Sequence, residues 1–257
     1  MSGKDNSFSF RILNKTPSMK KLQITLLVFL FCSIINAQEF AIGIKGGLNK
    51  YNIGDVLSFG GSFQQGAPNE IFSPNNELNF HFGAFLDISF GNFFVRPELI
   101  FGSINNNYDF PNQTSEWKTS KVDIPILVGY KVFDPVAIYV GPTFSFNQDV
   151  TLDGANNENG ASIIPYEENL AHFSFGIQVE FKRFGVDLRY NLPAKEIPTT
   201  RNDFNFSEYG VNQADIKAFE PSQMSLSLNI FLFRTDGDDV DDFFSNLFKS
   251  NKCWCPK

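Results

Sequence analysis

The stretch FHFGAFLDISFGNFFVRPELIFG, residues 80–102, limits what this chain can fold into more than any other segment. Every second residue of its first half is apolar: Phe80, Phe82, Ala84, Leu86, Ile88 and Phe90. The residues between them, His81, Gly83, Phe85, Asp87 and Ser89, are mostly small or polar. After Gly91-Asn92 the pattern resumes, with Phe93, Val95, Pro97, Leu99 and Phe101 set against Phe94, Arg96, Glu98, Ile100 and Gly102. A period of two belongs to a strand with two unlike faces, and Gly-Asn between two such runs signals a tight hairpin.

The same alternation recurs over residues 40–48, 122–132, 136–146, 173–182, 184–192 and 224–233. With the hairpin this makes eight strands of about ten residues, the length that spans a bilayer when tilted. The connections alternate too. Gly91-Asn92, Phe133-Asp134-Pro135 and Lys182-Arg183 are short, whereas residues 50–79, 106–118, 147–169 and 193–221 are long and rich in Asn, Gly, Asp, Glu and Pro. Short turns at one end and long loops at the other characterise a transmembrane barrel, and an even strand count puts both termini of the mature chain at the short-turn, periplasmic end.

Volume assigns the faces. The apolar set holds roughly forty large side chains, and an eight-stranded barrel has an interior just wide enough to be filled. The apolar face therefore points outward, and lipid is the solvent that accepts it. The 31 phenylalanines support this, with Phe40, Phe90, Phe93, Tyr130, Phe181 and Phe184 placed for a girdle near the short turns. Phe80, Phe101, Phe144, Phe146, Phe173 and Tyr190 suit the opposite girdle. The rival, a secreted lipocalin-like ligand-binding barrel with its apolar face inward, needs a Lys- and Glu-rich outer face; here the second face is rich in Gly and Ser.

The inward set carries Lys45, Arg96, Lys131, Lys182 and Arg189 with Asp87, Glu98, Asp123, Glu180 and Asp187. Five cations facing five anions in a narrow lumen read as a salt-bridge network that closes it; a small gated pore is the functional alternative. Catalysis is not expected. The two histidines, His81 and His172, fall at the loop end of strands, with Ser174 or Ser103 as conceivable neighbours, but no nucleophile motif accompanies them. Neither a cofactor nor a metal is expected. Residues 149–162 (DVTLDGANNENGAS) superficially suggest calcium but lack the D-x-[DN]-x-[DN]-G order.

The ends carry their own signals. Met19-Lys20-Lys21, an apolar run over 22–35 and Asn36-Ala37-Gln38 read as a signal peptide cut after Ala37, with Met1 or Met19 as the start. Cys32 follows Phe31 rather than a small residue, so lipidation is not expected. Beyond that cut, no apolar stretch is long enough for a transmembrane helix. Removing residues 1–37 takes away five Lys/Arg and one Asp, leaving 16 basic and 27 acidic side chains, a balance of -11 that disfavours nucleic acid. Residues 234–257 form a C-terminal tail in which Val240, Phe243, Phe244, Leu247 and Phe248 have helical spacing, and Asp238 to Asp242 suit that helix's positive end. Cys253 and Cys255 read as exposed thiols of this tail.

FAIGIKGGLN after Ala-Gln, VDIPILVGYKVFDPVAIYVGPTFSF and FGIQVEFKRFGVDLRYNL resemble the PorT-type outer-membrane β-barrel family of Bacteroidota, over residues 38–233. The I-P-x-L-x-x-Y-K and Y-x-G-P pieces carry most of the likeness. The resemblance implies an all-β, eight-stranded, up-and-down barrel integral to the outer membrane. The function expected is a structural or interaction role, with an accessory role in an outer-membrane protein secretion system as the alternative. The expected partners are outer-membrane lipid and lipopolysaccharide, the barrel-assembly machinery that recognises a terminal aromatic such as Phe233, and an envelope protein met through the loops or tail.

Overall fold

A computed structural model describes residues 39–59, 70–156 and 168–235. The leader read over residues 1–37, the tail helix with Cys253 and Cys255, and the centres of two long connections lie outside the described residues. Among the described residues thirteen strands and one helical turn are formed: β1 (Glu39–Tyr51), β2 (Val56–Ser58), β3 (Glu70–Phe72), β4 (Asn79–Phe90), β5 (Phe93–Asp109), β6 (Thr114–Phe133), β7 (Val136–Leu152), β8 (Ala155–Asn156), β9 (Asn169–Glu180), β10 (Phe184–Pro193), β11 (Thr200–Phe204), α1 (Phe206–Tyr209), β12 (Gln213–Ile216) and β13 (Gln223–Arg234).

Eight of them close into a barrel in the order β1-β13-β10-β9-β7-β6-β5-β4, every neighbouring pair antiparallel. These are the eight strands the alternation marks. The opening hairpin turns at Gly91, whose φ of 61° a glycine adopts without strain. The first and last barrel strands meet: the Phe40 amide donates to Thr235 Oγ1 at 2.8 Å, and the Thr235 amide donates to the Phe40 carbonyl at 2.9 Å.

The apolar face points outward all round. Ile42, Phe82, Leu99, Val128, Val140, Phe175, Val186 and Leu228 are exposed, while Lys45, Asp87, Arg96, Glu98, Asp123, Asp187 and Arg189 are buried. Paired rings near the short turns, Phe93 with Tyr130 at 4.9 Å, and nearer the other end, Phe82 with Phe101 at 5.6 Å, lie on this belt.

The long connections depart from the expectation of solvated loops. β5, β6 and β7 run on well past the apolar belt, so that residues 106–118 are a continuing hairpin rather than a loop. A second sheet, ordered β3-β2-β12-β11-β8, forms from pieces of three other connections. Residues 149–156 of the calcium-like segment finish β7 and make β8; residues 157–162 lie outside the described residues. Between this sheet and the extended strands lies a core of Tyr51, Ile53, Val56, Tyr108, Trp117, Leu152, Val211 and Ile216, among others. Phe110, in the β5–β6 turn, is its aromatic hub, edge-on to Phe72 (5.0 Å) and Phe204 (5.3 Å). On β5 the inward residues change from Arg96 and Glu98 to Ile104 and Tyr108 where the cap covers them. The cap thus buries aromatic and aliphatic surface, each fully buried side chain contributing about 1.5–3 kcal/mol.

Two outcomes follow. Leu228→Arg, on the outward face of β13 with 49% exposure, should destabilise the lipid-inserted protein by about 2–4 kcal/mol in urea titrations, whereas the same outward face bathed in water would tolerate it. In the cap, the fully buried Tyr108 donates to the Gly54 carbonyl at 2.6 Å, and burial, then the Asp55 charge, pushes its phenol well above the usual range. The stability this contributes is complete below the unfolded phenol value of about 10 and is lost as pH rises toward the folded value. Alkaline titration should therefore open the wild-type cap more steeply with pH than the cap of Tyr108→Phe, read by near-UV circular dichroism.

Candidate functional site: the barrel lumen

The chemistry-bearing side chains gather inside the barrel because the pleat sends every second residue inward. At mid-height four charges from three strands meet. Arg189 of β10 grips Glu98 of β5 through two parallel bonds, Nη1 to Oε2 and Nη2 to Oε1, each at 2.9 Å. Lys45 of β1 reaches Asp187 at 2.8 Å and both Glu98 oxygens at 3.2 Å. Arg189 Nη2 also donates to Asp187 at 3.1 Å. Tyr139 of β7 links the group further: its hydroxyl accepts from Arg189 Nε at 3.0 Å and donates to Asp187. These four ionic side chains are all but excluded from solvent, at 3% exposure or less. Two cations against two anions, with bidentate geometry, is the arrangement in which buried charges are retained.

Nearer the short turns, Arg96 is the centre. Its Nε donates to Asp87 at 2.8 Å, Nη1 to Gln178, and Nη2 to Asp87 and Glu180. Asp87 also accepts from Ser89 Oγ at 3.0 Å. The guanidinium lies 4.9 Å from the Phe85 ring centre and 5.1 Å from that of Phe94, so its faces are covered by aromatic rings while its edges are bonded. Three lumen aromatics each face a glycine on the neighbouring strand: Phe85 across from Gly43, Phe94 from Gly129, Tyr139 from Gly176. A Cβ at Gly129 would sit 2.0 Å from the Phe94 ring, so glycine there is what lets the ring lie flat across the strand.

Toward the cap the layer is polar. Lys121 binds Asp123 at 3.0 Å and the Gln223 side-chain oxygen at 3.1 Å, and stands 4.7 Å over the Tyr51 ring. Asn191 donates to the same Gln223 oxygen at 3.0 Å and accepts from Ser174 at 2.7 Å.

Of the ten residues expected in the network, Lys45, Asp87, Arg96, Glu98, Glu180, Asp187 and Arg189 form two linked groups, and Asp123 pairs with Lys121. Lys131 and Lys182 sit at the short-turn end of the barrel rather than in the buried lumen. Lys131 is half-buried in the short-turn mouth, where a register shift falls between Lys131 and Phe133. Lys182 is exposed in the β9–β10 turn. Lys121 escaped notice because the strand seemed to start at Val122; two residues before Asp123 in the inward register was the available signal. The histidines are not on a rim. His81 Nε2 lies 2.8 Å from Ser227 Oγ, and His172 is buried beneath the cap. His172 Nε2 faces the Pro221 carbonyl at 3.1 Å, which can only accept; Nδ1 therefore accepts from Ser145 Oγ at 3.2 Å. That Ser–His–carbonyl relation resembles an activated nucleophile, but Ser145 is 1% exposed. Ser174 bonds Thr143 and Asn191 instead.

Position, not pairing, sets what an ion pair contributes here. Arg189→Met leaves Glu98 and Asp187 facing Lys45 alone and should cost about 3–5 kcal/mol. Lys118→Met removes the Glu116 and Asp153 partner from a pair that is half exposed, and should cost under about 1 kcal/mol. Urea-induced loss of heat-modifiable gel mobility measures both.

The comparisons with known proteins follow this geometry. The family model described as "Outer membrane protein beta-barrel domain" matches residues 36–194, from the start of β1 through β10. No curated protein matches. Among solved structures the chain is similar to the outer membrane protein OprG of Pseudomonas aeruginosa, at 14% identity over 76% of this chain and 96% of that one, TM-score 0.42. It is also similar to a deltaS2S3 mutant of the monoaromatic hydrocarbon channel TodX (8% identity, 75% and 57% coverage, TM-score 0.32), TodX being from Pseudomonas putida. OmpT, an outer membrane protein of Vibrio cholerae, matches at 14% identity, 75% and 51% coverage and TM-score 0.24. A match across more than half the sequence, onto a closed eight-stranded ring with its apolar face outward, makes this chain a member of the outer membrane protein beta-barrel domain family.

Proposed function

We propose that this outer-membrane protein works as a closed barrel with a structural or interaction role, and neither conducts solutes nor catalyses a reaction. The observation that carries the reading is the continuous filling of the lumen. Ion pairs, aromatic rings and amide bridges follow one another from Arg96 to Gln223, and the cap core lies above them. Two of the cavities beside this filling, one against His81 and Asp123 and one against Asp87 and Phe231, measure about 10 Å³ each. Each is the size of one water molecule. A conducting path would have to separate Lys45 and Arg189 from Glu98 and Asp187, at the energetic penalty of bare buried charges.

In this reading both termini of the mature chain face the periplasm and the cap faces outward, where it meets lipopolysaccharide and any envelope partner. The I-P-x-L-x-x-Y-K run at residues 124–131 favours the PorT-type branch of Bacteroidota within the family. The test is a planar-bilayer recording of the folded mature protein in concentrated KCl. No stepwise current is expected; reproducible open-channel steps would sink the closed-barrel reading.

A further inference from the structure

We propose that a recess at the seam between barrel and cap binds the phosphate of an outer-leaflet glycolipid, with Lys50 as its cation. The proposal rests on the reading that the cap end faces outward, and its test separates the two.

The recess opens where β1 leaves the barrel wall. Lys50 and Asn52 come from the end of β1 and the residue beyond it, Asn76 from the connection before β4, Tyr190 from β10, and Ser222 and Met224 from the entry to β13. It measures about 180 Å³. A cavity of about 150 Å³ takes a benzene ring, so this one has room for a phosphate and part of the sugar that carries it. Pairing sets three of its side chains in a row across β1, β13 and β10: Met224 lies opposite Lys50 on one side and Tyr190 on the other. All three are on the outward face, with Lys50 exposed, Met224 51% exposed and Tyr190 half-buried.

The height of the recess follows from β1. Outward along this strand stand Ile42, Ile44, Gly46 and Leu48, and then Lys50. Lys50 is the first charge beyond the apolar run, about 7 Å past Leu48 at the rise of a strand. A lysine at that boundary lays its stem on apolar surface, which Met224 supplies, and holds its ammonium among the lipid headgroups. Tyr190, its ring 5.5 Å from that of Phe175, likewise has an apolar body and a polar tip suited to the interface.

The polar tips are free to bind. Among the described residues that line the recess Lys50 alone is charged. Neither its ammonium nor the hydroxyls of Tyr190 and Ser222 bond to another described residue. An ammonium flanked by two hydroxyl donors is matched by an anion with several acceptor oxygens, which a phosphate provides. Apolar surface adjoins it: Leu78, 65% exposed, precedes the Asn79 that pairs with Asn49 of β1. A free phosphate ion would use the donors and leave that surface bare, whereas a lipid uses both. The exposed Lys118 differs, since Glu116 and Asp153 already hold it.

The test is lipid binding by the folded mature protein in neutral detergent micelles, read by native mass spectrometry. The probes are diphosphorylated lipid A, the same lipid with both phosphates removed, and inorganic phosphate. Lys50→Gln removes the cation, Tyr190→Phe removes one hydroxyl, and Lys118→Gln is the control; a heat-dependent gel shift shows that each has folded. Affinity for the phosphorylated lipid should fall about fivefold in Lys50→Gln, less in Tyr190→Phe, and not at all in Lys118→Gln. The dephosphorylated lipid should bind every chain equally weakly. Equal affinity of wild type and Lys50→Gln for the phosphorylated lipid would overturn the proposal, as would equal affinity of the wild type for the two lipids. Displacement of the lipid by millimolar inorganic phosphate would make this a free-anion site and overturn it too. Orientation is read separately, by labelling intact cells with a membrane-impermeant amine reagent, which should reach Lys118. Failure to label Lys118 would overturn the outward cap, and with it the choice of an outer-leaflet lipid, even where the binding differences hold.

Discussion

The pairing of β1 with β13 is the interaction on which everything else rests. It aligns Tyr51 with Gln223 at one end and Ala41 with Arg234 at the other, and so turns an eight-stranded sheet into a ring with no free edge. Only a ring can present an all-apolar exterior to hydrocarbon while every backbone amide is bonded. Closure at eight strands also fixes how little room remains inside. The lumen can hold Gly, Ser and Asn opposite a few large groups, and it can hold charges only when they neutralise one another at contact distance. The foursome of Lys45, Glu98, Asp187 and Arg189 is the result of that confinement.

The barrel was legible because its signal is local and repeated. Alternation over ten residues, as in residues 80–90, states which side chains share a face, and summing their volumes states which face must be outside. Most of the lumen charges could be read the same way, since Glu98 and Arg96 or Asp187 and Arg189 are simply two apart on one strand. The errors came at strand ends. Lys121 lies one residue before the run seemed to begin, whereas Lys131 and Lys182 lie where the pleat runs into a turn and inward no longer means buried.

The cap was not legible, for a different reason. Its strands are two to five residues long, too short for a period to show. Its partners come from far apart: Ala214 pairs with Ser58, and Asp203 with Asn156. Its core residues, such as Ile53, Val211 and Phe219, are scattered among Asn, Gly and Asp, so the composition of each connection reads as solvated. Burial there depends on four connections converging, which no single window of sequence contains. Only the continued alternation of β5 and β6 past Gly102, through Ile104, Tyr108 and Trp117, hinted that the strands went on.

The glycines facing the lumen aromatics carry a consequence for how the strands find their alignment. A slip of one residue between neighbours turns a strand inside out and is rejected by lipid at once. A slip of two restores inside and outside, so alternation alone cannot forbid it. The ring–glycine pairs can. Moved by two, Phe94 would meet Leu127 or Lys131 in place of Gly129, and the ring would have no flat place to lie. The same holds for Tyr139 against Gly176 and Phe85 against Gly43, on three separate seams of the barrel. These empty positions work as keyways, admitting one stagger of the strands and with it one shear for the whole cylinder.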